Sequence, residues 1–194
     1  MNLAGIIRAS TVTAIGLADY LDALSDDDRL AQTLALEGDE QALLFDLVAG
    51  ARKLSLEDLA PKTSQPLVGV LHAGKNSLPL FTRFAKVFSV PDVATPQPER
   101  WGFNLNPALV ALTVGPGYFV ASEQGQEVLI DYTRQPPRRL LDGPRILPND
   151  SRLSRFVYNG TKDLLRGVSK HVSIGRASRG TRQLDNWFVL CRTS

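Results

Sequence analysis

Cysteine is nearly absent from this chain: Cys191 stands alone. That excludes a disulfide framework and any cysteine-built metal cluster. Histidine is almost as scarce, with only His72 and His171, so any imidazole chemistry must run through those two. Two histidines fall short of a metal site, since a third ligand would have to come from Asp131 or another carboxylate. No metal and no cofactor is called for. No apolar run reaches the roughly 18 residues that span a bilayer, and the N-terminal MNLAGIIRASTVTAIGLADYLDAL has weak amphipathic character without a secretory cleavage pattern. The chain therefore reads as cytoplasmic. Asn149-Asp-Ser151 and Asn159-Gly-Thr161 match the N-glycosylation triplet, but no export signal supports them. Internal repeats and low-complexity segments are also missing.

What remains is enough to build a core. Hydrophobic residues make up 43% and charged residues 22% of the 194, as in an ordinary globular domain. The net charge of +2 is unevenly spread: residues 1–97 hold 8 Lys+Arg against 12 Asp+Glu, and residues 98–194 hold 14 against 8. An acidic front and a basic remainder attract each other, or leave the basic half to meet an anionic group.

The organising stretch is Leu109 to Thr133, LVALTVGPGYFVASEQGQEVLIDYT. Two apolar, β-rich runs flank a polar turn at Gln124-Gly125-Gln126, which is a hairpin signal. Gly115-Pro116-Gly117 interrupts the first run and predicts a bulge or bend. On the strand from Glu127 to Thr133, Val128, Ile130 and Tyr132 share one face, and Leu129 and Asp131 the other.

Residues 10 to 60 read as helices. Leu17, Tyr20, Leu21 and Leu24 recur at helical spacing. Ser25 is an N-cap with Asp26, Asp27 and Asp28 in the first turn, where the helix dipole favours carboxylates. Gly38 reads as a stop, Asp39 as a restart, and Ser55 with Asp58 as a further cap closed by Pro61. Pro61 to Pro66 is a linker. Strand-like pieces follow at Leu67–Leu71 and Trp101–Leu105, with Leu80–Val90 fitting strand or helix. Gln135 to Asp150 reads as an extended surface loop. Near the end come Arg155–Tyr158, a helical piece at Thr161–Val168, a strand at His171–Ala177 and another at Trp187–Arg192. Strands dominate after residue 66, without the crossover helices a parallel sheet needs. The expected fold is α+β: a helical segment over 1–62, then an antiparallel β-sheet curled into a barrel over 66–194.

Gly69-Val-Leu-His-Ala-Gly74-Lys75-Asn76 resembles a phosphate-binding loop, but Asn76 stands where a Ser or Thr should hold the metal, and the strand–helix context is missing. The arginines between Arg134 and Arg182 lack interleaved aromatics and any recognition motif, which argues against nucleic acid. Cys191 lies among apolar residues and reads as packing.

A barrel points alternate residues inward, and inward polar groups on an apolar wall make a small-molecule cavity. The ligand-binding candidates are Arg83, Trp101, Tyr132, Tyr158, Arg176 and Trp187. His72 and His171 are the acid–base candidates if the cavity is catalytic. Asp131 and Tyr132 point to opposite faces and cannot form a dyad on one wall.

The last third, through Arg155-Phe-Val-Tyr-Asn-Gly160, Lys162-Asp-Leu-Leu, His171-Val-Ser-Ile-Gly175 and Trp187-Phe-Val-Leu-Cys-Arg192, resembles the end of the calycin-like barrels of the GXWXG/DUF4334 type. The hallmark Gly-x-Trp-x-Gly survives only as the fragment Arg100-Trp101-Gly102. The resemblance implies a barrel that houses an apolar or amphipathic ligand. The sequence thus leads first to a binder of a small hydrophobic or amphipathic molecule. Next comes an enzyme using the same cavity, of isomerase, cyclase or hydrolase type, and third an adaptor whose acidic helices meet a protein partner.

Overall fold

In the computed structural model of the chain, residues 2–9, 11–79, 82–107, 114–149 and 158–193 are described. Among them, five helices precede eight strands. The helices are α1 (Leu3–Ile7), α2 (Ala14–Ala23), α3 (Asp26–Ala35), α4 (Gly38–Leu47) and α5 (Leu56–Leu59). The strands are β1 (Val70–Asn76), β2 (Arg83–Ser89), β3 (Glu99–Leu105), β4 (Phe119–Gln124), β5 (Glu127–Asp131), β6 (Thr161–Gly167), β7 (Val172–Arg179) and β8 (Arg182–Arg192). Each strand pairs antiparallel with the next, and β1 pairs with β8, so the sheet closes into an eight-stranded barrel. The α+β expectation, helices followed by an antiparallel sheet closed into a barrel, holds.

Local chemistry sets the helix boundaries. Ser25 Oγ accepts the Asp28 backbone N–H at the start of α3, with three aspartates in its first turn. Ser55 and Asp58 exchange reciprocal bonds around the start of α5. Gly38 does not stop a helix; it begins α4, because the Glu40 carboxylate accepts the Glu37 N–H and fixes Glu37 as the N-cap. The hairpin turn is where the sequence puts it: Gln124 faces Glu127 across β4 and β5, and Gly125 takes φ 63°.

One stretch is corrected. Thr161–Val168, expected as helix, contains β6, which pairs with β5 on one side and β7 on the other. Adjacent Leu164 and Leu165 fit either period, and closure of the sheet decides between them. The run Gly69–Asn76, read against a phosphate-binding loop, is strand β1 from Val70 on, in keeping with that reading. Of the stretch Leu80–Val90, Arg83–Ser89 is strand β2, and residues 80 and 81 lie outside the described residues. The stretches 108–113 and 150–157, including Arg155–Val157, lie outside the described residues.

Both surfaces of the barrel wall are covered in places. Outside, Leu17, Leu21, Leu36, Leu44 and Phe45 of the helical region cluster with Val172, Ile174, Val189 and Cys191 of β7 and β8. On another side, the segment 135–149 lays Leu140 and Ile146 over Val87, Trp101, Phe103, Tyr118 and Val120. That segment is a strap rather than a free surface loop. Asn149 fastens it, donating to the carbonyls of Tyr118 and Tyr132 at 2.8 Å each. The same amide nitrogen is thereby withdrawn from glycosylation.

Inside, three phenylalanines lie flat over glycines in direct cross-strand register: Phe84 over Gly74, Phe119 over Gly102 and Phe188 over Gly175. A Cβ on Gly175 would stand 2.2 Å from the Phe188 ring, and one on Gly102 2.5 Å from the Phe119 ring. The missing side chains let the three rings lean across the lumen, a close approach only glycine permits.

Candidate functional site

The two ends of the barrel differ. One end is stopped by α5 and its flanking residues, through Leu54, Leu56, Leu59 and Ala60, which join the interior cluster of Phe88, Phe119, Val128 and Leu165. Burying a helix end leaves its last carbonyls without partners. Side chains of the barrel meet them: His72 Nε2 donates to the Leu59 carbonyl at 2.8 Å, Arg100 Nε to Ala60 at 2.7 Å, and Arg192 to Asp58 at 3.1 Å. Arg100 also reaches Glu57 at 3.1 Å. At the helix start, Glu123 accepts the Leu56 N–H at 3.1 Å. These cationic or polar groups sit at the negative end of a helix dipole.

His72 is therefore a plug residue. Burial is the main reason its pKa falls to about 4, and Arg192 adds to the effect, so its ring is neutral at pH 7. His171 immediately precedes β7 at the same end. Burial and nearby Arg29 and Arg192 lower its pKa. Both histidines border a small cleft there with Asp58, Ser169 and Ser173, and neither lines the main cavity.

The main cavity opens at the opposite end and measures about 400 Å³. Apolar walls come from Leu78, Phe84, Val114, Ala177 and Phe188, and its polar groups include Lys86, Asn104, Tyr132, Tyr158 and Asp163. Lys86 is at the centre of these. It is 2% exposed, and the rings of Phe84, Phe119, Tyr132 and Phe188 surround its Nζ at 4.8–5.6 Å from their centroids. Nζ donates to Asn104 Oδ1 at 2.9 Å, to Asp163 Oδ2 at 3.1 Å and to the Tyr132 hydroxyl. Three N–H donors thus meet three acceptors. The Tyr132 hydroxyl in turn donates to Asp163 at 3.1 Å, and Asn104 Nδ2 donates to it at 3.1 Å. Tyr158 stacks on Tyr132 with centroids 5.1 Å apart, and its hydroxyl accepts from Asn106 at 2.9 Å.

Electrostatics follow from burial. Desolvation lowers the Lys86 pKa, against the opposing pull of Asp163. Burial raises the Tyr132 pKa well above its usual value, and Asp163 adds to this. Burial takes Tyr158 to about 12. Both phenols are thus protonated donors at pH 7. The cluster can hold a neutral polar oxygen, and it can pass a proton between an amine and a carboxylate.

Of the residues singled out from sequence, Tyr132, Tyr158 and Trp187 border the cavity. Arg83 is exposed at the start of β2 and does not line it. Trp101 points outward beneath the strap, 1% exposed, with its indole N–H on Glu99 at 2.7 Å. Arg176 also lies off the cavity lining. It bonds the Leu184 carbonyl, Gln183 and Asp185, and lies over the Trp187 ring at 5.0 Å. Sequence reasoning missed Lys86, Asn104 and Asp163. A signal was present for the first: Phe84, Lys86 and Phe88 alternate on one face of β2, a lysine inside an aromatic stripe. Among the described residues, no group of three or more His, Cys, Asp or Glu side chains is placed to hold a metal ion, and no helix is long and apolar enough to cross a membrane. No family model, curated protein or solved structure matches the chain.

Proposed function

We propose that this protein binds a small amphipathic molecule inside the barrel, as a cytoplasmic carrier or receptor of calycin-like type. The apolar body lies against Phe84, Ala177 and Phe188, and an uncharged oxygen-bearing end reaches Lys86, Tyr132 and Asn104. The observation that carries the reading is the pairing of one stoppered end with a cavity of about 400 Å³ at the other, a size suited to a metabolite. The Lys86–Asp163 pair is internally neutral, so a carboxylate entering the floor would bring an unbalanced charge. A hydroxyl or carbonyl would not. The closed eight-stranded antiparallel meander supports the calycin-like resemblance.

Native mass spectrometry of freshly purified protein, followed by identification of what is released, tests the proposal. A retained small molecule, lost in Ala177→Phe, is the expected result. An empty protein, unmoved in melting temperature by a panel of apolar alcohols and ketones, overturns it. An enzyme in the same cavity is the second reading, and Lys86, Asp163 and Tyr132 support it in place of the histidines. The apolar stripe of the helices packs against β7 and β8, so an adaptor would have to use their acidic outer face.

A further inference from the structure

Lys86 differs from the other lysines of the chain. Lys53, Lys62, Lys75 and Lys162 pair with carboxylates through side chains of which one or both partners are exposed. Lys86 instead faces a lumen, walled by aromatic rings, with its carboxylate partner equally buried. Such a setting disfavours the ammonium form and leaves the amine one proton transfer from being a nucleophile. The recipient of that proton is already in contact, Asp163 Oδ2 at 3.1 Å. Two further groups, the Tyr132 hydroxyl and the Asn104 amide, meet at the same point and can bond an oxygen attached to the attacked carbon. The cavity leads from this point to the open end, which gives water a way out.

We propose that the cavity captures small apolar aldehydes covalently, with Lys86 condensing reversibly with the aldehyde carbon to form an imine. This rests on the reading of the cavity as a small-molecule site. The chemistry balances without any oxidant or reductant. Lys86 passes a proton to Asp163, and the freed nitrogen lone pair attacks the carbonyl carbon. A C–N bond forms, and the C=O π pair moves to oxygen, which takes the proton back from Asp163. The resulting carbinolamine loses its hydroxyl as water, using a proton from nitrogen, and the nitrogen lone pair completes C=N. The product keeps the last of the three ammonium protons on nitrogen and is an iminium opposite the Asp163 carboxylate. The net change replaces one ammonium by one iminium and releases one water, so the buried charge balance is the same before and after. That conservation explains why an aldehyde suits the floor better than an acid. The phenylalanine rings over Gly74, Gly102 and Gly175 restrict the approach to a slender or flat tail.

The test incubates the full chain with cinnamaldehyde and, separately, with decanal, in the presence of sodium cyanoborohydride at neutral pH. Intact mass and peptide mapping then report which of the six lysines carries the reduced adduct. One adduct, mapped to Lys86 and suppressed by excess cinnamyl alcohol, is the expected result. Asp163→Asn is expected to form it about a hundredfold more slowly, the size of a lost general acid–base group. Labelling scattered over Lys53, Lys62 and Lys170 with none on Lys86 overturns the inference. Binding of cinnamyl alcohol, followed by its shift of the melting temperature, separates the two ideas. Alcohol binding without an adduct on Lys86 sinks the imine and leaves the cavity reading standing, whereas absence of both sinks the two together. Should Lys86→Met not fold, the map on the wild-type chain decides alone.

Discussion

The two ends of the barrel each bury positive or polar groups, yet they use them oppositely. At the stoppered end, Arg100, Arg192 and His72 all point at backbone carbonyls of α5. The chain itself supplies the acceptors they meet, and they hold a helix in place. At the open end, Lys86 is satisfied by side chains that border a cavity. Side chains can exchange partners with a ligand, whereas a plug's carbonyls cannot leave without opening the barrel. The contrast predicts that changes at one end alter stability alone, and that changes at the other alter binding as well.

The largest effect is expected at the open end. Lys86→Met leaves the Asp163 carboxylate buried without a counter-charge, and should destabilise by about 3–5 kcal/mol in a denaturant titration. Lys86→Met combined with Asp163→Leu should recover most of that stability while losing ligands with a polar end. A double variant as unstable as the single one would mean that the pair is held by more than its mutual charge.

Acid comes next, and its action belongs to the stoppered end. The folded pKa of His72 lies at about 4, below its ordinary 6.5. The unfolded chain therefore binds the proton first as pH falls. The stability tied to neutral His72 is full above pH 6.5, declines through the interval between the two values and is gone below about 4. Its size is about 3 kcal/mol. His171, whose pKa is also lowered, adds to the same slope. Glu57 and Asp58, held below 4.5 and 3.8 by their partners, act only at still lower pH. His72→Gln keeps a donor for the Leu59 carbonyl and should flatten the decline between pH 6.5 and 4. An unchanged slope would assign it elsewhere.

Arg100→Met should cost about 2 kcal/mol, from the unmet Ala60 carbonyl, with ligand affinity of the folded fraction unaltered. A change in affinity would break the separation between the ends. The smallest effect is Tyr158→Phe, about 1 kcal/mol for the lost Asn106 bond, read as a slight loss in melting temperature and a weaker hold on polar ligands.

How much of this was legible in the sequence differs from strand to strand. The two faces of β5 were readable, though not which one turns inward: Val128, Ile130 and Tyr132 face the lumen, and Asp131 faces out to Lys162 at 3.0 Å. Its period is clean because one face is apolar core and the other is only partly covered, with Glu127 and Leu129 half-buried. β3 was not readable. Trp101 and Phe103 pack outward beneath the strap while Arg100, Gly102 and Asn104 face in, so both faces are buried and an aromatic no longer marks the inside. The site itself was hidden by separation along the chain. Lys86 finds Asn104 on β3, Tyr132 just past β5 and Asp163 on β6, and the last of these lay in a stretch whose paired leucines also fit a helix. Local pattern carries the strands, but not which residues closure of the sheet will bring together.

The closing seam, β1 against β8, has a consequence for timing. The helices precede the whole barrel along the chain, yet they rest on its final two strands, β7 and β8. The first strand likewise waits for the last, His72 opposite Arg192. Until β8 arrives, β1 offers an open row of N–H and C=O groups on one side, and α3 and α4 have no wall to lean on. Assembly should therefore be slow and late, limited by one distant pairing rather than by its hairpins. A chain ending before Arg182 should accumulate as aggregates rather than as a seven-stranded barrel.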